Sequence, residues 1–237
     1  MKKFVKLFIL LLIMGAVLAG VYYTVDTKKY EKTDAYKFKT EYEKLNGTTS
    51  SSGKIIRSVD INKKNRVKYS TAEEIVKKID KGESFLVYFG FASCPWCRSM
   101  VENLINISIE KNIDIYYVDV LEIRDILEYS NGEVVVKRKG NKYYMELLEK
   151  LSDVLDDYRL TDENDEKVEV NEKRIYAPNV VSIINGVPKM KVEGVSDELK
   201  DPYSTLTDDM IEESKRQLKE VFDTLTTGNI CTREDAC

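Results

Sequence analysis

The chain has 237 residues, 43% hydrophobic and 33% charged, with a formal net charge of −4. This ordinary globular balance supplies a core for one or two domains, excludes wholesale disorder, and gives no global electrostatic reason to bind nucleic acid. Histidine is absent, which excludes His general bases, Ser-His and Cys-His nucleophile pairs and every His-containing metal site.

The N-terminus reads Met1-Lys2-Lys3-Phe4 before a nearly continuous apolar run from Leu7 to Tyr23. A positive start followed by such a run is an export signal. Two forms fit residues 1–25. Either Val17-Leu18-Ala19 marks cleavage near Ala19 and a secreted product, or residues 7–25 stay as a membrane anchor just long enough to span a bilayer. Both put the working part in an extracytoplasmic compartment, where disulfides persist. Residues 26–53 read as a polar stalk and linker, rich in Lys, Glu and Tyr and ending in a small-residue stretch from Asn46 to Gly53.

The compact domain is expected over residues 54–230. Ile55 to Ile61 is a candidate first strand. Ser70 and Glu73 have capping-box spacing ahead of a helix with Ala72, Ile75, Val76 and Ile79 on one face, stopped by Gly82. Phe85 to Phe89 is a five-residue apolar run, read as a buried central strand. Cys94-Pro95-Trp96-Cys97 then opens a helix with Met100, Val101, Leu104 and Ile105 on one face, and Ile113 to Val120 is the next strand. Strand, helix, strand in that order implies a right-handed parallel crossover.

Between residues 123 and 174 the pattern changes. Asn131-Gly132 reads as a turn and Val134 to Val136 as a short strand. Tyr144, Leu147, Leu148, Leu151, Val154, Leu155 and Tyr158 form the stripe of one amphipathic helix. The acidic stretch Thr161 to Glu172 is a solvated loop or weak hairpin. Val180 to Ile184 and Pro188 to Val192 flank Asn185-Gly186-Val187 as an antiparallel hairpin, and a last helix runs from Asp208 to Leu225.

Two cysteines two residues apart at a helix start have a specific chemistry. The first lies beside unpaired backbone N–H groups and the positive end of the helix dipole, which favours its thiolate. The second, one turn on, can attack a mixed disulfide and release the substrate. Cys94 thus reads as the nucleophile and Cys97 as the resolving thiol of a redox disulfide. Pro95 suits the first helical position because its missing N–H would have no partner there. Trp96 offers an exposed apolar plate beside the sulfur. The competing readings are a structural disulfide, an inert buried pair, and a zinc site completed by Cys231 and Cys237. The five residues separating that distal pair are too many for usual zinc spacing. Cys231 and Cys237, in the tail 231–237, read as a second, structural bridge, with exchange against Cys94 as the alternative.

The segment from Phe85 to Cys97 resembles the strand and active-site turn of the thioredoxin superfamily. Tyr176-Ala177-Pro178-Asn179-Val180-Val181, with the Asn185-Gly186 hairpin and Gly194, resembles its cis-proline loop and last two strands. The likeness covers most of residues 55–225 and is nearest to exported bacterial thioredoxin-like proteins described as bacteriocin transport accessory proteins. It implies an α/β fold: a thioredoxin-like mixed central sheet flanked by helices, with a mainly helical insertion at 123–174 before the cis-proline strand. It also implies that Pro178 is cis against the dithiol, that Ala177 presents backbone to an extended substrate, and that Pro95 and Trp96 tune redox poise. Two departures stand out. The superfamily usually carries a buried Asp where this chain has Tyr88, leaving water or the Tyr88 hydroxyl to assist proton transfer at Cys97. The dipeptide between the cysteines also lacks His. The insertion reads either as a cap beside the dithiol or as core packing away from it.

The expected activity is exported thiol–disulfide exchange on protein disulfides or dithiols, in either direction, with a redox partner protein and without organic cofactor or metal. The alternative is a non-enzymatic thioredoxin-like accessory or binding module in a secretion or peptide-maturation assembly.

Overall fold

The computed structural model describes residues 2–231 apart from Asp165, with backbone alone for parts of residues 2–26 and for 227–231. In chain order the elements are α1 (Lys2–Tyr30), α2 (Asp34–Glu43), β1 (Val67–Tyr69), α3 (Ala72–Asp80), β2 (Phe85–Gly90), α4 (Pro95–Lys111) and β3 (Ile115–Asp119). A hairpin of β4 (Ile126–Ser130) and β5 (Glu133–Arg138) follows, then α5 (Lys142–Lys150) and a second hairpin of β6 (Asp157–Thr161) and β7 (Lys167–Lys173). The chain closes with β8 (Asn179–Ile184), β9 (Val187–Val192) and α6 (Asp208–Cys231).

All six residues of β2 are buried, as befits a strand covered on both faces. It lies at the centre of a mixed five-stranded sheet, order β1-β3-β2-β8-β9, flanked by helices. β3 runs parallel to β1 and β2, β8 antiparallel to β2, and β9 antiparallel to β8. The parallel side is connected through α3 and α4, as parallel neighbours require. The antiparallel side is joined by Asn185 and Gly186, both at positive φ (52° and 75°), the signature of a two-residue hairpin turn. A Cβ at Gly186 would come 2.4 Å from the Ile79 carbonyl oxygen, so only glycine fits.

Strand alternation divides the core in two. Leu86 and Tyr88 face a cluster built with α2, α4 and α6, whereas Phe85, Val87 and Phe89 face one built with α3 and α5.

Several expectations change. The segment 26–53 is not a free stalk: α2 buries Phe38 and Tyr42 completely against the sheet. The stretch after it is also attached, with Asn46 exchanging two hydrogen bonds with the Val59 backbone (2.8 and 3.0 Å). Two aromatics at i,i+4 spacing make one apolar face in an otherwise polar run, enough to dock a short helix. Ile55 to Ile61 is not a strand. Ile56, Val59 and Ile61 are buried without a ladder, and the sheet edge is taken by the three residues of β1. The capping box lies one residue on, with Thr71 and Glu74 bonding each other's backbone N–H.

The segment 123–174 is not mainly helical. It holds two hairpins and the single nine-residue α5. Helical spacing from Tyr144 to Tyr158 spans a helix, a turn and the start of β6. Leu151 and Leu155 are buried beyond the helix end, so burial alone keeps the stripe going.

α1 is long and apolar enough over Leu11–Tyr30 to cross a membrane. It fits a signal sequence or an anchor and continues past residue 25, where the leader or anchor segment was expected to end.

Candidate active site

The Cys94–Cys97 pair is placed by the junction of β2 and α4. β2 delivers the chain to Phe91-Ala92-Ser93, and α4 starts at Pro95, whose ring fills the first turn where no N–H is needed. Cys94 is the N-cap, with extended backbone (φ −70°, ψ 118°). Its Sγ accepts the Cys97 N–H at 3.3 Å, the role usually taken by a Ser, Thr or Asp oxygen.

Both cysteines are free thiols. A thiolate on Cys94 is favoured, and its pKa lies below the ordinary thiol value. The Cys97 thiol beside it has the largest effect; the Cys97 and Trp96 N–H groups and the Arg124 cation add to it, while burial opposes. Cys97 goes the other way. Complete burial, and then the neighbouring Cys94 charge, push its thiol well above the ordinary value. The pair therefore splits into one thiol that ionises more readily and one that holds its proton.

The register of β2 with β8 brings in the second loop. Phe89 pairs with Asn179, so Ala177 and Pro178 sit beside the end of β2 and next to the cysteines. The Ala177–Pro178 bond is cis. Cys94 Sγ donates to the Ala177 carbonyl oxygen at 3.2 Å, a contact open only to the thiol form. Asn179, almost fully buried, holds the loop. Its Oδ1 accepts the Tyr176 N–H (3.0 Å) and its Nδ2 donates to the Pro178 carbonyl (2.9 Å).

A groove of about 300 Å³ runs from Trp96 past Tyr176, Ala177 and Pro178 to Glu193, Asp197 and Leu199. Burial raises the Glu193 carboxyl pKa. Trp96 is half-buried where an exposed plate was expected. Cys94 itself is only 3% exposed, although Ser93 before it is exposed and Pro95 after it half-buried. The sulfur lies one layer below the surface, under the Ala177 carbonyl.

The segment 123–174 divides its two expected roles. α5 packs on the α3 side of the sheet as core. The β6–β7 hairpin instead reaches the groove: Tyr176 Oη accepts the Arg159 N–H (3.0 Å) and donates to the Asp157 carbonyl (3.3 Å).

Sequence reasoning missed Arg98 and Tyr42. The guanidinium of Arg98, 2% exposed, donates to the carbonyls of Arg57 (2.6 Å), Tyr42 and Ala92 (both 2.9 Å) and to Asn46 Oδ1 (2.5 Å). It thereby ties α2 to the loop ahead of Cys94. Nothing in Cys97-Arg98 as a dipeptide announces this, whereas the Phe38–Tyr42 spacing could have flagged Tyr42. The expected tail bridge involves Cys237, which lies outside the described residues, and Cys231, whose side chain is not described.

In comparisons with known proteins, no family model and no curated protein matches this sequence.

Proposed function

We propose that the protein is an exported thiol–disulfide oxidoreductase of the thioredoxin type. The observation that carries this reading is the Cys94 sulfur, an N-cap bonded by the Cys97 N–H, 3.2 Å from the Ala177 carbonyl, with ionisation favoured there and opposed at Cys97. Cys94 thiolate attacks a substrate disulfide, forming a mixed disulfide and expelling one substrate thiolate. Cys97 then attacks Cys94 Sγ, the intramolecular bridge forms, and the second substrate thiol leaves with the proton that Cys97 gave up. The substrate gains two electrons and the dithiol loses them. The reverse sequence oxidises a substrate dithiol, and a redox partner protein resets the pair in either case.

The strand order β1-β3-β2-β8-β9, with a dithiol after β2 and a cis-proline before β8, agrees with the thioredoxin arrangement, and residues 123–174 are then an insertion. Ala177 and the groove beyond Trp96 would receive extended polypeptide, as in strand addition. α1, as a leader or anchor, would place the domain outside the cytoplasm, in keeping with the resemblance to bacteriocin transport accessory proteins.

A second reading, a non-enzymatic binding module on the same scaffold, is favoured by one observation: Cys94 is 3% exposed. Dithiothreitol-coupled reduction of insulin disulfides separates the two. The enzyme predicts turnover by the wild type and its loss to background in Cys94→Ser; a wild type without turnover supports the module.

A further inference from the structure

Building on that reading, we propose that Tyr42 and Tyr88 form a buried chain of two hydroxyls directed at the Cys97 sulfur, holding the negative charge that Cys97 develops as it resolves the mixed disulfide. Tyr88 would be a catalytic residue in this step and Tyr42 a positioning residue.

The chain has a definite direction. Both rings are fully buried and their hydroxyl oxygens are 2.8 Å apart. Each phenol has one proton, so one oxygen donates and the other accepts. Tyr88 and Cys97 lie in the same buried cluster and each acts on the other's ionisation, while among the described residues Tyr42 Oη has no polar partner besides Tyr88. All groups are served when Tyr42 donates to Tyr88 and Tyr88 donates to sulfur. The backbone makes room for this: a Cβ at Gly90 would come 2.4 Å from Tyr88 Oη.

The surroundings favour negative charge here. Arg98 stands with its guanidinium carbon 5.8 Å from the Tyr42 ring centre, and its partners are three carbonyls and an amide oxygen, with no carboxylate in ion-pair range among the described residues. Glu102 on α4 acts on this guanidinium only beyond ion-pair range, and a buried cation so weakly compensated stabilises an anion nearby. The other titratable groups facing the sulfurs and hydroxyls are Cys94 on α4, Tyr117 stacked on Tyr88 (centroids 5.4 Å apart), and Arg124 after β3. No carboxylate faces Cys97 directly in this set.

Atoms balance without net transfer to tyrosine. The mixed S–S bond breaks, the Cys94–Cys97 bond forms, and the Cys97 proton ends on the departing thiol; the hydroxyls polarise and relax.

The test uses the full chain with Tyr42→Phe, Tyr88→Phe and both, since phenylalanine keeps each ring. Stopped-flow reaction with 5,5′-dithiobis(2-nitrobenzoate) releases a first thionitrobenzoate when Cys94 attacks and a second when Cys97 resolves. Tyr88→Phe and, more weakly, Tyr42→Phe are expected to slow the second phase about threefold to tenfold, the span of one hydrogen bond, and leave the first unchanged. Tyr42→Phe should add nothing in the Tyr88→Phe background. Titration of Cys97 by 13Cβ-cysteine NMR in the Cys94→Ser protein should move upward in the same order. Equal slowing of both phases, additive effects, or an unmoved Cys97 titration would overturn the proposal. These readouts need no insulin turnover, so a failure of the enzymatic reading is distinguishable from a failure of the hydroxyl chain.

Discussion

At the residue scale, two thiols a single helical turn apart are pushed in opposite directions, Cys94 by the Cys97 thiol and the N–H groups it caps, Cys97 by its burial. Cys94 receives backbone N–H groups; Cys97 sits in the core with the Cys94 charge beside it. Alkylation by iodoacetamide, followed by peptide mass spectrometry across pH, should label Cys94 with a midpoint below the roughly 8.5 of a free thiol. Cys97 should stay unlabelled over that range. Equal labelling rates would mean the cap does not select between them. The Cys94 half of this contrast was legible in the sequence because it is local, four residues setting the helix start, the cap and the spacing; the burial that raises Cys97 was not. The cover over Cys94 was not, since the Ala177 carbonyl that screens it comes from a loop 83 positions away. Arg98 was illegible for the same reason, with acceptors 41 and 56 positions away at Arg57 and Tyr42.

At the scale of elements, α2 shows how little apolar sequence a docked helix needs. Thr33 caps it by accepting the Tyr36 N–H at 3.2 Å, and Phe38 and Tyr42 provide a fully buried face in ten residues. Burying each such ring contributes about 1.5–3 kcal/mol before entropy is counted. Phe38→Ala should destabilise the domain by about 3–5 kcal/mol, read as a lowered urea midpoint with an unchanged slope. A loss below about 1 kcal/mol would return residues 34–43 to the status of a stalk. Turn chemistry explains which other elements could be read. Asn131-Gly132 and Asn185-Gly186 both adopt positive φ and close two-residue hairpins as their dipeptides dictate. The stripe from Tyr144 to Tyr158 misled because residues after α5 keep apolar spacing while the backbone turns toward β6.

At the scale of the whole molecule, one sheet carries two unlike cores. The side under α4 is rich in tyrosine: Tyr42, Tyr88 and Tyr117 are all fully buried there, and burial above all pushes their hydroxyl pKa values upward. These phenols stay protonated in the native state while those of the unfolded chain ionise near pH 10. Their contribution is therefore complete below about pH 10 and shrinks above it, by up to about 1.4 kcal/mol per pH unit for each tyrosine. Urea unfolding from pH 9 to 11.5, with phenolate absorbance followed at 295 nm, should show stability falling while native absorbance lags the denatured value. A flat stability profile would contradict it. The joint between the first two helices has a mechanical consequence. α1 ends at Tyr30 and α2 begins at Asp34, leaving three residues that span about 10 Å at full stretch. An α1 retained in a bilayer would hold the folded domain on a leash that short, keeping it against the lipid surface instead of letting it roam.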